Sequence, residues 1–172
     1  MDDVGRAAFT AFVIARQTSL LRSATLLTGD PHLAQDLLQD ALVKVAARWS
    51  RLEAGNPDAY VRTVLYRDFL HWRKKLRQEY TTPDPAHGAA SDHATRVDER
   101  RVILDALRLI PRQQRAVIVL RYFEDLSESE TAAVLGVSVG TVKSHSHHGL
   151  LKLRQLLGRP DPVSRGRSTD ER

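Results

Sequence analysis

Residues 127–150, SESETAAVLGVSVGTVKSHSHHGL, decide the fold of the C-terminal half of the chain. Ser127 and Glu130 stand at capping-box spacing, the mark of a helix start. Leu135 ends that short helix, and Gly136 falls where a tight turn needs a residue able to take positive φ. Ser138 can cap a second helix with Val142, Leu150, Leu153 and Leu157 on its inner side. Ala132 is small where two crossing helices approach, four residues before the glycine, and Val142 is apolar six residues after it. An ordinary helical hairpin would share some of these features, but cap, small residue, glycine and apolar residue agree at four separate positions. The stretch is expected to be a helix-turn-helix that reads DNA.

Outward from this unit the chain reads as helix almost throughout. Phe9, Phe12, Val13, Leu20, Leu21, Ala24 and Leu27 recur with helical rhythm over 7–27, and Gly29 can end that helix. Asp30-Pro31 gives an N-cap and a first-turn proline for a second helix through Leu33, Leu37, Leu38, Ala41, Leu42, Val45 and Trp49. Asn56-Pro57 repeats the signal for a third helix to about Glu79. Residues 80–95, YTTPDPAHGAASDHAT, have prolines, a glycine and few apolar residues, and are expected to be a linker. Helices resume over 96–109 and, after Pro111, over 112–122. The tail 159–172 carries almost no apolar side chain and is expected to be disordered. The expectation is an all-α chain with two small helical domains, 1–79 and 96–158, on a flexible tether.

Composition narrows the class. The chain has 172 residues, 42% of them hydrophobic, so each half can build only a modest core. Absence of cysteine excludes disulfides and thiolate metal sites and fits a reducing cytosol. No apolar run approaches the roughly 20 residues that cross a bilayer, and the acidic start MDDVGRAAF is unlike a signal peptide. A soluble, cytoplasmic protein is expected. The net charge is +5, unevenly placed. Residues 61–80 carry six basic and two acidic side chains, and residues 138–158 carry three basic and no acidic ones, while the rest nearly balances. Two basic helices suggest two contacts with a polyanion.

The candidate site residues follow from this distribution. On the second helix of the helix-turn-helix, Ser138, Gly140, Thr141, Lys143, Ser144, His145, His147 and His148 are candidates for duplex DNA, the short polar groups lying at its N-terminal end where the helix dipole favours phosphate. In the first half, Tyr66, Arg67, His71, Trp72, Arg73, Lys74 and Lys75 combine aromatic faces with cations, which suits single-stranded DNA. Gln35, Asp36, Gln39, Asp40 and Lys44 flank the apolar stripe of the second helix and can orient a protein partner. The histidine cluster lacks cysteine or carboxylate neighbours, and no metal is expected. Neither a phosphate-cradling glycine loop with a lysine nor an HExxH pattern occurs, so an enzyme is not expected.

These residues match a family. The chain to about Leu157 resembles a sigma factor of the extracytoplasmic-function group, a bacterial RNA polymerase specificity subunit. GDPHLAQDLLQDALVKVAARW (29–49) is similar to the helix with which such proteins dock on the clamp of the largest polymerase subunit. NPDAYVRTVLYRDFLHWRKK (56–75) is similar to the helix that opens and reads the minus-ten element. LIPRQQRAVIVLRYFEDLSESETAAVLGVSVGTVKS (109–144) is similar to the domain that reads the minus-thirty-five element. The resemblance implies no cofactor, core RNA polymerase and promoter DNA as partners, and often a regulatory anti-sigma protein. The chain departs from the family at Arg67, where members usually have Asn, and at His145 and His148, where close relatives usually have Arg. A helix-turn-helix regulator with a sensing or docking N-terminal half is the rival reading. Its first half would offer a pocket or phosphorylation site rather than a polar docking helix and a basic aromatic one.

Overall fold

A computed structural model describes residues 2–71 and 96–158, with side chains from residue 100 onward in the second stretch. Trp72, Arg73, Lys74, Lys75, the expected linker 80–95 and the tail 159–172 lie outside the described residues. Among the described residues every regular element is helical, as the apolar periodicity requires, and no helix is long and apolar enough to cross a membrane.

Helix α1 (Asp3–Thr28) begins earlier than its apolar rhythm, because the Asp2 side chain accepts from Gly5 N and caps it. It ends at Gly29, whose φ of 72° lets its N–H close on Thr25 O. The positive φ favours glycine there, and a side chain would also have to displace Arg108, whose Cγ would lie 2.2 Å away. Asp30 then accepts from His32 N and Leu33 N and starts α2 (Pro31–Ala46). Here the expected single helix to Trp49 is corrected. The chain breaks at residues 47–48, and Trp49 opens a separate turn, α3 (Trp49–Leu52). The break turns the indole under α1, against Phe9 and Phe12 at ring distances of 5.2 and 5.3 Å. Asn56 accepts from Ala59 N at the start of α4 (Pro57–His71), which buries Val61, Leu65, Tyr66 and Phe69.

In the second half, α5 (Arg96–Arg108) leads through Pro111 to α6 (Arg112–Ile118), which loosens into a π-helical turn, Val119–Phe123, instead of staying regular to Tyr122. The capping box of Ser127 and Glu130 forms in full and opens α7 (Glu128–Leu135). Gly136 (φ 69°) closes α7 on Ala132 O, and Ser138 caps α8 (Val139–Leu156). Buried Val117, Ala132 and Val142 form the apolar contact inside the helix-turn-helix.

The inner face of α8 differs from expectation at one position. Gly149 is buried, whereas Leu150 beside it is only half-buried. A Cβ at Gly149 would stand 2.8 Å from Ile118 Cδ1 and 3.2 Å from Gln114 Cβ, so α6 and α8 touch where only hydrogen fits. Gly149→Val is therefore expected to lower stability by about 1–3 kcal/mol through overpacking. Urea unfolding measures this, and an unshifted midpoint would refute the close crossing.

One core runs through both halves. Leu20, Leu27, Leu37, Leu65, Tyr66 and Phe69 of the first half share a buried cluster with Ala116, Val119, Leu120 and Val134 of the second. The helices of each half are signalled locally, whereas the apolar faces that meet between the halves lie far apart along the chain.

Candidate nucleic-acid interface

The second helix of the helix-turn-helix presents its polar side to solvent. Ser138, Gly140, Lys143, Ser144, His147 and His148 are exposed, and Thr141 and His145 are half-buried. Ser138 Oγ accepts from Thr141 N at 3.1 Å and lies 2.9 Å from Thr141 Oγ1, which fixes the first turn of α8 with its backbone N–H groups outward. Lys143 Nζ lies 3.7 Å from Glu128 on α7, an exposed pair that a phosphate can replace at small cost. His148 Nδ1 lies 2.8 Å from the Ser144 carbonyl oxygen, which ties its ring back onto the preceding turn of α8. Tyr122 from the π-helical turn reaches Ser146 with its hydroxyl at 3.1 Å and braces the helix from behind. Glu130 is held below the usual carboxylate range by its hydrogen bonds with Ser127, so the cap of α7 keeps its charge at neutral pH and loses it only as pH falls through that lowered value. No group of three or more His, Cys, Asp or Glu arranged to hold a metal ion occurs among the described residues.

The basic aromatic helix is arranged differently from the sequence expectation. Of the residues expected on a single-strand face, Arg67 and His71 are exposed, but Tyr66 is fully buried. Its hydroxyl donates to Glu124 Oε1 at 2.7 Å. Burial first, then the charge of Glu124, raises the Tyr66 phenol well above its ordinary range, so it stays a neutral donor. Arg67 Nε donates to Val134 O at 3.2 Å, and His71 Nδ1 lies 2.6 Å from Arg67 O. Phe69, on the same helix, is a core residue beneath the guanidinium of Arg112 at 4.9 Å.

The outer face of α2 matches its expectation in geometry. Gln35, Asp36, Gln39, Asp40 and Lys44 are exposed, while Ala34, Leu37, Leu38, Ala41 and Val45 are buried on the opposite side. Lys44 Nζ is tied to Asp68 of α4 at 2.6 Å. Val43 adds an exposed apolar side chain to this polar face. Gln35, Asp36 and Gln39 also border a groove of about 1160 Å³ lined by Leu21, Leu42, Ile103 and Phe123.

Sequence reasoning missed Arg115, which lies almost wholly buried on α6. Its Nη1 donates to Leu27 O at 2.6 Å, and its Nη2 to Arg108 O and Ile110 O at 2.7 and 3.1 Å. Burial, followed by the charges of Arg112 and Arg108, lowers its guanidinium to about 10, still far above neutrality. Glu124 was missed as well, because a carboxylate after a helix end carries no signal of a partner 58 residues away.

A capped helix-turn-helix with a basic polar helix, joined to a second helical unit bearing an exposed polar face, defines a helical DNA-binding protein. Comparison with known proteins then gives the family. The profile of Sigma-70 region 2 matches residues 4–79, and that of Sigma-70, region 4, matches residues 100–153. The RNA polymerase sigma-E factor of Streptomyces coelicolor is 40% identical over 170 residues, covering 95% of this chain and 94% of that protein. The sigma-E factor of Streptomyces avermitilis is 39% identical over 166 residues, covering 95% and 93%. Among solved structures, the sigma factor RpoE of Bartonella quintana, crystallised with the anti-sigma factor NepR, aligns with a TM-score of 0.70 at 26% identity, covering 87% of this chain and 96% of that one. This chain belongs to the sigma-70 family of RNA polymerase sigma factors, in its extracytoplasmic-function group.

Proposed function

We propose that this sigma factor works in the cytoplasm, docks on core RNA polymerase through the outer face of α2, and brings two DNA-reading helices to a promoter. In this reading α8 meets duplex DNA at a minus-thirty-five element through Ser138, Gly140, Thr141, Lys143, Ser144, His145, His147 and His148. The end of α4 and the segment after it meet the separated minus-ten strand through Arg67, His71, Trp72, Arg73, Lys74 and Lys75, with the buried Tyr66 holding α4 in place behind them. It performs no reaction of its own and needs no cofactor, since positioning DNA on the polymerase requires only contacts. The observation that carries the reading is the outer face of α2, where an exposed polar row stands opposite a fully buried apolar one. An anti-sigma protein is a further partner in this reading, as in the Bartonella complex. Copurification with core polymerase followed by run-off transcription from promoter fragments tests it. Failure to bind the core enzyme would overturn it.

A further inference from the structure

Helix α8 packs inward through Val142, Ser146 and Gly149, and these three contacts differ in kind. Val142 meets Val117 and Ala132, and Gly149 lies against Ile118 and Gln114. Between them, Ser146 Oγ stands 3.1 Å from the hydroxyl of Tyr122. Apolar contact is non-directional, so it sets how far α8 stands from α6 and leaves some freedom to turn about the helix axis. A hydrogen bond weakens steeply as its angle departs from linear. The Tyr122 contact is therefore the one of the three that resists rotation.

An uncommon backbone holds Tyr122 in place. The residue lies in the π-helical turn, where Glu124 N–H closes on Val119 O and Leu126 N–H on Leu120 O, both at 3.0 Å. Single π-helical turns are rare and concentrate at functional sites. Two residues past the turn, Asp125 takes φ 54°, a left-handed conformation that a non-glycine residue adopts only where its surroundings enforce it. Arg121 enforces it in part, donating from Nη1 to Leu126 O, and its guanidinium lies 5.9 Å from the centre of the Tyr122 ring. Core packing does not account for a tyrosine here, since 56% of its surface is exposed. What the tyrosine adds is a hydroxyl that reaches α8.

We propose that Tyr122 is a positioning residue for sequence reading: through Ser146 it sets the rotation of α8 about its own axis, and thereby which outward side chains of α8 face base edges. The inference rests on the duplex reading proposed for α8 and adds a determinant of its specificity on the inner side of that helix. Side-chain tips stand about 5–6 Å from a helix axis, so a rotation of about 10° carries them about 1 Å. A shift of that size weakens a base-edge hydrogen bond, which carries the sequence information. The flexible stem of Lys143 follows a phosphate through the same shift. Loss of the Tyr122 hydroxyl therefore lowers sequence preference and leaves general duplex affinity in place.

The test uses holoenzyme assembled from the full chain and core polymerase. It selects from a pool of promoter-length duplexes randomised in sequence, and sequencing of the bound fraction gives the base preference in the minus-thirty-five segment. The preference of Tyr122→Phe for the best selected duplex over the unselected pool is expected to fall about three- to tenfold, the range of one neutral hydrogen bond. Its affinity for the unselected pool and its thermal midpoint should stay close to those of the unaltered chain. Ser146→Ala should give the same loss from the other side of the contact, and also serves if Tyr122→Phe fails to fold. The double variant should be no worse than either single one, because both changes remove one contact. An unchanged preference in both single variants would overturn the proposal. So would an equal loss for selected and unselected duplexes with a lowered midpoint, the mark of a merely structural role. Additive losses in the double variant would overturn it too, since Tyr122 would then act without Ser146. If the unaltered holoenzyme enriched no sequence in that segment, the duplex reading of α8 would fail and the proposal with it; enrichment by the unaltered form, equalled by the variants, would remove the positioning role alone.

Discussion

Arg115→Met is expected to destabilise the protein by about 2–4 kcal/mol, a large share of the stability of a domain this size. One guanidinium satisfies carbonyls at the ends of two helices. Leu27 O lies in the last turn of α1, and Arg108 O and Ile110 O lie at the end of α5. Carbonyls in the last turn of a helix have no partner within it, and a cation there also meets the negative end of the dipole. Charge-assisted bonds of this kind contribute about 1.5–3 kcal/mol each before the cost of burying the charge. That cost is visible in the lowering of the guanidinium to about 10 by burial and by neighbouring arginines. Methionine keeps most of the volume but leaves three carbonyls without a donor. Arg115→Lys should recover only part of the loss, since a single ammonium cannot fork to three acceptors on two sides. Urea unfolding provides the measurement. An unchanged midpoint in Arg115→Met would show that water replaces the guanidinium freely, and the bridge would then have no structural weight.

What was legible in the sequence was what is encoded within a few residues. The capping box at Ser127, the turn at Gly136 and the cap at Ser138 each involve groups three or four positions apart, and all three form as expected. Asp30-Pro31 and Gly29 are local in the same sense. Each miss has a distant cause. Trp49 leaves the α2 helix because Phe9 and Phe12, some forty residues earlier, offer its ring a packing site. Gly149 carries no turn and no positive φ. Its reason is the crossing with Ile118 and Gln114, which helical periodicity cannot reveal. Arg115 looks like one more surface cation until its acceptor 88 residues away is seen.

The candidate site shows the same division. The polar side of α8 and the outer face of α2 were legible because exposure on a helix follows from periodicity alone. Tyr66 and Arg67 were read as a nucleic-acid surface because an aromatic beside a cation suits a strand. The same groups also suit a carboxylate and a backbone carbonyl, and composition cannot tell which acceptor a donor will meet. Glu124 and Val134 O are the acceptors that the fold supplies. Residue type thus specified the donors, and only tertiary packing specified their partners.

Reversing charge at Asp36 and Asp40 together, as Asp36→Lys, Asp40→Lys, is expected to weaken binding to core polymerase by more than about 100-fold, or about 2.8 kcal/mol at 1.4 kcal/mol per factor of ten. Both carboxylates stand on the exposed side of α2, opposite the buried row Ala34, Leu37, Leu38, Ala41 and Val45, so the helix itself should be unaffected. The change moves the face from two negative to two positive charges, and like charges brought together across an interface cost several kcal/mol. Val43 lies on the same face with 67% of its surface exposed, and its burial by a partner would add an apolar contact that the reversal leaves intact. Val43→Ser should therefore weaken binding separately and without steepening its salt dependence, whereas the charge reversal should act largely on association and respond to ionic strength. Lys44 is fixed by Asp68 and orients this edge of the face through α4. Titration of labelled core polymerase with each variant, with helicity checked by circular dichroism, separates the two contributions. Undiminished binding by the doubly reversed chain would exclude the outer face of α2 as the docking surface, even if promoter contacts elsewhere proved correct.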